Sequence, residues 1–200
     1  MANTYLTRTP SSTGNRQIFT FSAWVKRSQV STIYNTLFYA GANSATSGTI
    51  ALRFTNNNNL NVYIQDINQL ITTNRIFRDT SAWYHIVLAI DTTQATPDDR
   101  RKLYINGVQE TSFSTSTEVN RNLNLSVNTS GQLQRIGVYA DSGGSLEGYL
   151  DGSMSHINFI DGTAYDATAF GEYDANGVWT IKTSPSVTYG TNGFFILKDG

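Results

Sequence analysis

The sequence predicts a single all-β domain, a sandwich or a barrel. Three observations carry this: short apolar runs of strand length recur from end to end, several alternate strictly between apolar and polar residues, and helix signals are nearly absent. Thr163–Phe170 holds at most one helical turn, with Ala164, Ala167 and Ala169 as weak support. Two hundred residues suffice for one domain with a core, and neither a long Pro- or Gly-rich linker nor a repeat of fixed period divides the chain.

The first strand is Ile18–Lys26, where Phe19, Phe21, Ala23 and Val25 share one face and Thr20, Ser22, Trp24 and Lys26 the other. Leu37–Ala40 follows, then Ile50–Thr55 and Leu60–Gln65, joined by Asn56–Asn59 as a hairpin connection. Trp83–Asp91 is the strongest strand. Tyr84, Ile86, Leu88 and Ile90 form one face, Trp83, His85, Val87 and Ala89 the other, and both read as covered, as in a central strand. Lys102–Val108 contains Asn106-Gly107, a hairpin signal because a type I′ turn needs positive φ at both central residues. Leu133–Tyr139, Tyr149–Phe159 and Gly193–Leu197 complete the set, and residues 1–16 read as a mobile lead-in.

Composition removes several classes of function. Net charge is −1 and charged residues are 14%, with Lys and Arg scattered, so the basic surface that displaces counterions from nucleic acid is missing. Cys is absent, which excludes disulfides and thiolate metal sites. The opening MANTYLTRTPSSTGNR has no apolar segment of signal-peptide type, and no apolar run approaches the ~18 residues that insert in a membrane. Polarity comes instead from 64 Asn, Ser and Thr residues, which suit β-rich structure with many turns and also suit a surface for neutral hydrogen-bonding ligands such as sugars.

Three stretches resemble one known group. FTFSAWVK (Phe19–Lys26), WYHIVLAID (Trp83–Asp91) leading through a polar loop to KLYINGV, and LEGYLDGSMSHINFID (Leu146–Asp161) are similar, in order and spacing, to laminin-G-like domains of the concanavalin A-like lectin/glucanase superfamily. The resemblance covers roughly residues 18–165 and implies a two-sheet antiparallel sandwich, a jelly roll. RTPSSTGNR and the tail AFGEYDANGVWTIK…YGTNGFFILKDG look like the version found in structural proteins of tailed, often marine, phages. That implies a C-terminal extension over 166–200 packing on the sandwich, and a place on a virion or extracellular surface after cytoplasmic synthesis. It also implies a glycan or polysaccharide, or other virion proteins, as partners, with an oligomer permitted.

Because the superfamily includes glucanases, catalysis has to be tested against the residues. Retaining glycosidases need two carboxyls about 5–5.5 Å apart. The four Glu residues, 110, 118, 147 and 172, begin no E-x-D-x-x-E pattern, and Glu147 and Asp151 would stand roughly 13 Å apart on a regular strand. His85 and His156 each read as strand histidines, and no G-x-S-x-G elbow or phosphate-binding loop is present. The expectation is a non-enzymatic binding module.

The resemblance permits a calcium ion at the sandwich rim, for which Asp141, Asp151 and Asp161 are the candidate ligands, although Asp-Gly pairs at 151–152 and 161–162 equally suit plain turns. For a sugar, Trp83 and Tyr139 are the candidate stacking platforms, each beside a polar loop, with Asp141 and Ser142 as hydroxyl partners. The alternative for the motif tryptophans is core packing. A structural decoration domain that contacts virion proteins is the alternative to a lectin.

Overall fold

The computed structural model describes residues 3–30, 33–68 and 70–198. In chain order the strands are β1 (Leu6–Arg8), β2 (Ile18–Arg27), β3 (Asn35–Ala40), β4 (Ile50–Phe54), β5 (Asn59–Ile64), β6 (Ile71–Ile76), β7 (Tyr84–Asp91), β8 (Arg101–Ile105) and β9 (Val108–Gln109). Then come β10 (Phe113–Ser116), β11 (Gln134–Ile136), β12 (Tyr139–Ala140), β13 (Leu146–Glu147), β14 (Gly152–Asp161), β15 (Gly171–Tyr173), β16 (Trp179–Ile181) and β17 (Phe194–Ile196). Helical structure among the described residues is limited to single 3₁₀ turns, one of them at Ala167–Ala169 inside the expected Thr163–Phe170 segment. No helix is long and apolar enough to cross a membrane.

Two antiparallel sheets form the sandwich. One has seven strands in the order β1-β11-β3-β4-β5-β6-β10, the other six in the order β17-β14-β2-β7-β8-β9. Alternation explains their packing. Phe19, Phe21, Ala23 and Val25 of β2 face Ile50, Leu52 and Phe54 of β4 and Leu60, Val62 and Ile64 of β5 in one continuous core. Phe38 lies at its centre, with ring centroids 5.0 Å from Phe21 and 5.3 Å from Phe159. Each such fully buried side chain contributes about 1.5–3 kcal/mol relative to exposure.

Central β7 is buried on both faces, as its sequence predicts. Ile86, Leu88 and Ile90 join the core, while Val87 packs outward with Ile160, Ala167 and Phe170 beneath Tyr165, Trp179 and Tyr189 of the C-terminal segment. Asn106 and Gly107 adopt φ of 50° and 84° and join β8 to β9, the expected hairpin.

Several expectations need correction. β6 and β10 escape the sequence reading because ITTNRI and FSTS are Thr- and Ser-rich strands at a sheet margin, with little apolar alternation. The strand expected from Tyr149 begins at Gly152, because the chain turns sharply at Gly148 (φ 57°), and Glu147 and Asp151 therefore do not share a strand. A bulge over Ser155–Asn158, with His156 at φ 47°, lets both Met154 and Ile157 face the core three residues apart. Residues 3–16, expected as a loose lead-in, supply β1 against β11 and then tie down through Gly14 N–H to the Asn128 carbonyl at 2.8 Å and Asn15 N–H to the Asp161 carboxylate at 2.7 Å.

Candidate functional site

The outward face of the seven-stranded sheet follows from the same alternation that builds the core. With Ile50, Leu52 and Phe54 inward, Ala51 and Arg53 of β4 point out; with Leu60, Val62 and Ile64 inward, Asn59, Asn61 and Tyr63 of β5 point out. The β12–β13 ribbon covers part of this face, packing Ala140, Tyr139 and Leu146 on Tyr39 and Ala51.

Arg53 is the centre of the arrangement. Its guanidinium carbon lies 3.8 Å from the Tyr34 ring centroid, 4.9 Å from Tyr63 and 5.6 Å from Tyr139, each a cation–π contact. Its Nε donates to Oδ1 of Asn61, the residue opposite it on β5, at 3.2 Å. The side chain is 7% exposed and forms no ion pair among the described residues. Burial pushes Tyr39 and Tyr139 up to about 12, so both stay neutral phenols at physiological pH. The Tyr139 hydroxyl donates to the Glu147 carboxylate at 2.9 Å.

Next to this cluster lies a groove of 210 Å³. Tyr34 forms one wall, Asn56 and Asn57 come from the β4–β5 loop, Asn59, Asn61 and Thr72 from the sheet, and Ser114 and Thr115 from β10. Its lining contains no carboxylate, histidine or cation. Two of the asparagines are fixed from behind: Asn59 Nδ2 donates to the Thr73 carbonyl at 2.8 Å, and Asn61 Nδ2 donates to the Ile71 carbonyl and Thr72 Oγ1, both at 3.0 Å. The loop itself is held by Asn58 at φ 67° and by the Thr55 hydroxyl, which accepts from the Asn57 N–H at 3.2 Å. The surface is rigid, neutral and rich in amides, with one aromatic ring.

The residues nominated from sequence are placed apart. Trp83 is 40% exposed and leads into β7 of the six-stranded sheet, whereas Tyr139 belongs to the cluster outside the seven-stranded sheet. Asp141 Oδ1 is taken by the N–H groups of Gly143 and Ser145 at 2.9 and 2.8 Å, which closes the turn that exposes Ser142. Asp161 is buried, its carboxylate accepting from Asn15 N–H, Asn128 Nδ2 at 3.0 Å and Asn192 N–H at 3.0 Å. Asp151 stands before β14, where its carbonyl accepts from Ser28 N–H. Among the described residues no three His, Cys, Asp or Glu side chains group as a metal site, so Asp141, Asp151 and Asp161 do not form the expected calcium-binding set. Each is occupied or separated by local structure.

His85 is a packing residue. It stacks between Trp24 and Trp179, at centroid distances of 5.1 and 5.9 Å. Nε2 bonds Ser22 Oγ at 2.9 Å across the β2–β7 pair, and Nδ1 accepts from Trp179 Nε1 at 3.0 Å. Burial drives its pKa down to about 3. Neither nitrogen is free for catalysis.

The sequence reading missed Tyr34, Arg53 and the Asn56–Asn61 wall as a site. A signal existed: Asn56–Asn59 were legible as a turn, and Arg53 is a lone charge at an outward position of an apolar strand.

Comparison with known proteins places this geometry in context. A family model described as the concanavalin A-like lectin/glucanases superfamily, of laminin-G type, matches residues 1–163. No curated protein matches the chain. Among solved structures, a heptameric SAP-like pentraxin from Limulus polyphemus is 18% identical over 80% of this chain and 70% of its own, with a TM-score of 0.54. The NanB sialidase from Streptococcus pneumoniae is 15% identical over 84% of this chain and 29% of its own, at 0.52. A candidate carbohydrate binding protein from Bacteroides ovatus is 16% identical over 98% of this chain and 58% of its own, at 0.50. At these identities the likeness is one of fold.

Proposed function

The chain belongs to the concanavalin A-like lectin/glucanases superfamily, and from that membership we propose that it is a non-catalytic carbohydrate-binding module whose glycan lies in the groove beside Tyr34. The observation that carries this reading is the lining of the groove. A sugar ring presents C–H groups on one face and hydroxyls around its rim. Tyr34 offers an aromatic surface for the first, and the amides of Asn56, Asn57 and Asn59 offer donors and acceptors for the second. Fold-level kinship with a candidate carbohydrate binding protein agrees with it.

Catalysis has no residues in this groove. Glycoside hydrolysis requires a pair of carboxyls across the scissile bond, and none lines it. The setting we propose, from the phage-type lead-in and tail, is adhesion by a virion surface to glycan-bearing cells.

A screen of the purified domain on a glycan array tests the reading. Binding to a defined class is expected, weakened roughly tenfold by Tyr34→Ala, in line with the loss of one aromatic contact. A chelator is expected to leave it unchanged, because the candidate aspartates are not assembled around a metal. Loss of binding with Trp83→Ala and not Tyr34→Ala would move the site to the other sheet. A blank array from folded protein would favour a second reading, assembly with protein partners. That reading draws on the cleft of 630 Å³ bordered by Tyr5, Leu6, Ile33 and Leu197, all of them exposed apolar residues.

A further inference from the structure

Arg53 carries a full charge, and no ion pair neutralises it among the described residues. Burial disfavours its charged form, yet a guanidinium stays protonated in proteins, so the charge persists. The usual remedy is a carboxylate partner, and no acidic side chain pairs with it among the described residues. Tyr39 and Tyr139 are neutral phenols, and the ring faces of Tyr34, Tyr63 and Tyr139 supply only partial compensation. Glu147 accepts from the Tyr139 hydroxyl and forms no ion pair with Arg53.

Hydrogen bonding leaves the same surplus. Nε is satisfied by Asn61, whereas Nη1 and Nη2 have no acceptor among the described residues. A second guanidinium, Arg135 on β11, stacks 5.5 Å from the Tyr39 ring, donates to the Gly41 carbonyl at 3.0 Å and forms no ion pair among the described residues. Arg53 is tied to the groove through both of its neighbours, since Tyr34, its ring partner, and Asn61, its hydrogen-bond partner, line it.

We infer that the glycan recognised in this groove is acidic, and that the carboxylate of a uronic-acid-type sugar reaches past the lining to the Nη edge of Arg53, which stands behind Tyr34 and Asn61. The inference rests on the groove being the glycan site. A planar guanidinium donates two parallel N–H bonds to a carboxylate, a geometry that a neutral hydroxyl does not reproduce. Tyr34 would then serve both partners, one face on the cation and the other on the sugar. The neutral amides around them discriminate ring stereochemistry, and Arg53 discriminates charge.

The test is a panel of uronate oligosaccharides, each beside its carboxyl-reduced counterpart, with uronate-free sulfated oligosaccharides as a third arm. Binding is measured by titration for the wild-type domain, Arg53→Gln and Arg53→Lys, with melting curves to establish that each variant is folded. The expected result is at least roughly tenfold tighter binding of the acidic member of a pair, narrowing at high salt. Arg53→Gln should abolish that preference, so that the two members of each pair bind alike, and Arg53→Lys should restore only part of it.

Equal binding of both members by the wild type, or a preference that survives Arg53→Gln, would overturn the inference and leave the carbohydrate-binding reading intact. Binding confined to the sulfated arm would overturn the carboxylate assignment. A blank across panel and neutral array, from folded protein, would overturn both readings together.

Discussion

His85 holds its neutral form because burial strips its charged form of water, the ring being shut between Trp24 and Trp179 with both nitrogens engaged within the protein. Its pKa of about 3 in the folded protein lies well below the ordinary histidine value near 6.5. Above that ordinary value both folded and unfolded chains carry a neutral ring, and its contribution to stability is fully present. As pH falls below it the unfolded chain takes up the proton first, so stability drops by about 1.4 kcal/mol per pH unit until the folded value is reached. Urea denaturation should show a loss of roughly 2–3 kcal/mol between pH 7 and pH 4.5 from this group, and His85→Gln should remove that dependence. A slope that is unchanged in the variant would place the acid sensitivity elsewhere. That His85 lies on a strand was legible from alternation alone. The indole of Trp179 on its Nδ1 was not, since no local pattern joins residue 179 to residue 85.

Elements repeat the lesson at larger size. The ribbon formed by β15 and β16 lays Trp179 against the β8–β9 turn, where a Cβ on Gly107 would meet the indole at 2.5 Å, and a Cβ on Gly171 would meet it at the same distance. Asn106-Gly107 announces a hairpin in the sequence because two positive φ values favour this pair. The room it leaves for an indole is a tertiary fact. Gly107→Ala is expected to cost about 1–2 kcal/mol from backbone conformation at φ 84°, with a further overpacking penalty of about 1–3 kcal/mol. Thermal melts would measure the total, and a shift in tryptophan emission would report the displaced ring. Central strands such as β2 and β7 were legible because burial imposes a strict pattern on them. Marginal strands such as β6 and β10 owe their pairing to neighbours already in place, and their sequences need only tolerate it.

For the whole molecule, the all-β class and the sandwich were legible from alternation and from the family resemblance. The site was not, because it is composed across β4, β5, β6, β10 and one loop, and only registration of those strands brings Arg53, Asn61 and Thr72 together. The nominated aspartates are not brought together: Asp141 closes its own turn, Asp161 ties Asn15, Asn128 and Asn192, and Asp151 stands apart before β14. The C-terminal segment completes the architecture by covering Val87 and Ile160. A chain ended after Thr163 should therefore expose an apolar patch on the six-stranded sheet and bind a hydrophobic dye or self-associate, measured by dye fluorescence and sedimentation. A truncated protein that stays monomeric and dye-free would show that the cover is dispensable.

β1 lies at the edge of one sheet and β17 at the edge of the other, and both border one apolar cleft, where Arg8 donates to the Asn192 carbonyl. Asn3 and Leu197 line a second, neighbouring cleft together. The first and last strands therefore meet in one region, and none of the residues lining the groove beside Tyr34 belongs to it. An added peptide link at that cleft is expected to be tolerated, because it would leave the groove beside Tyr34 uncovered.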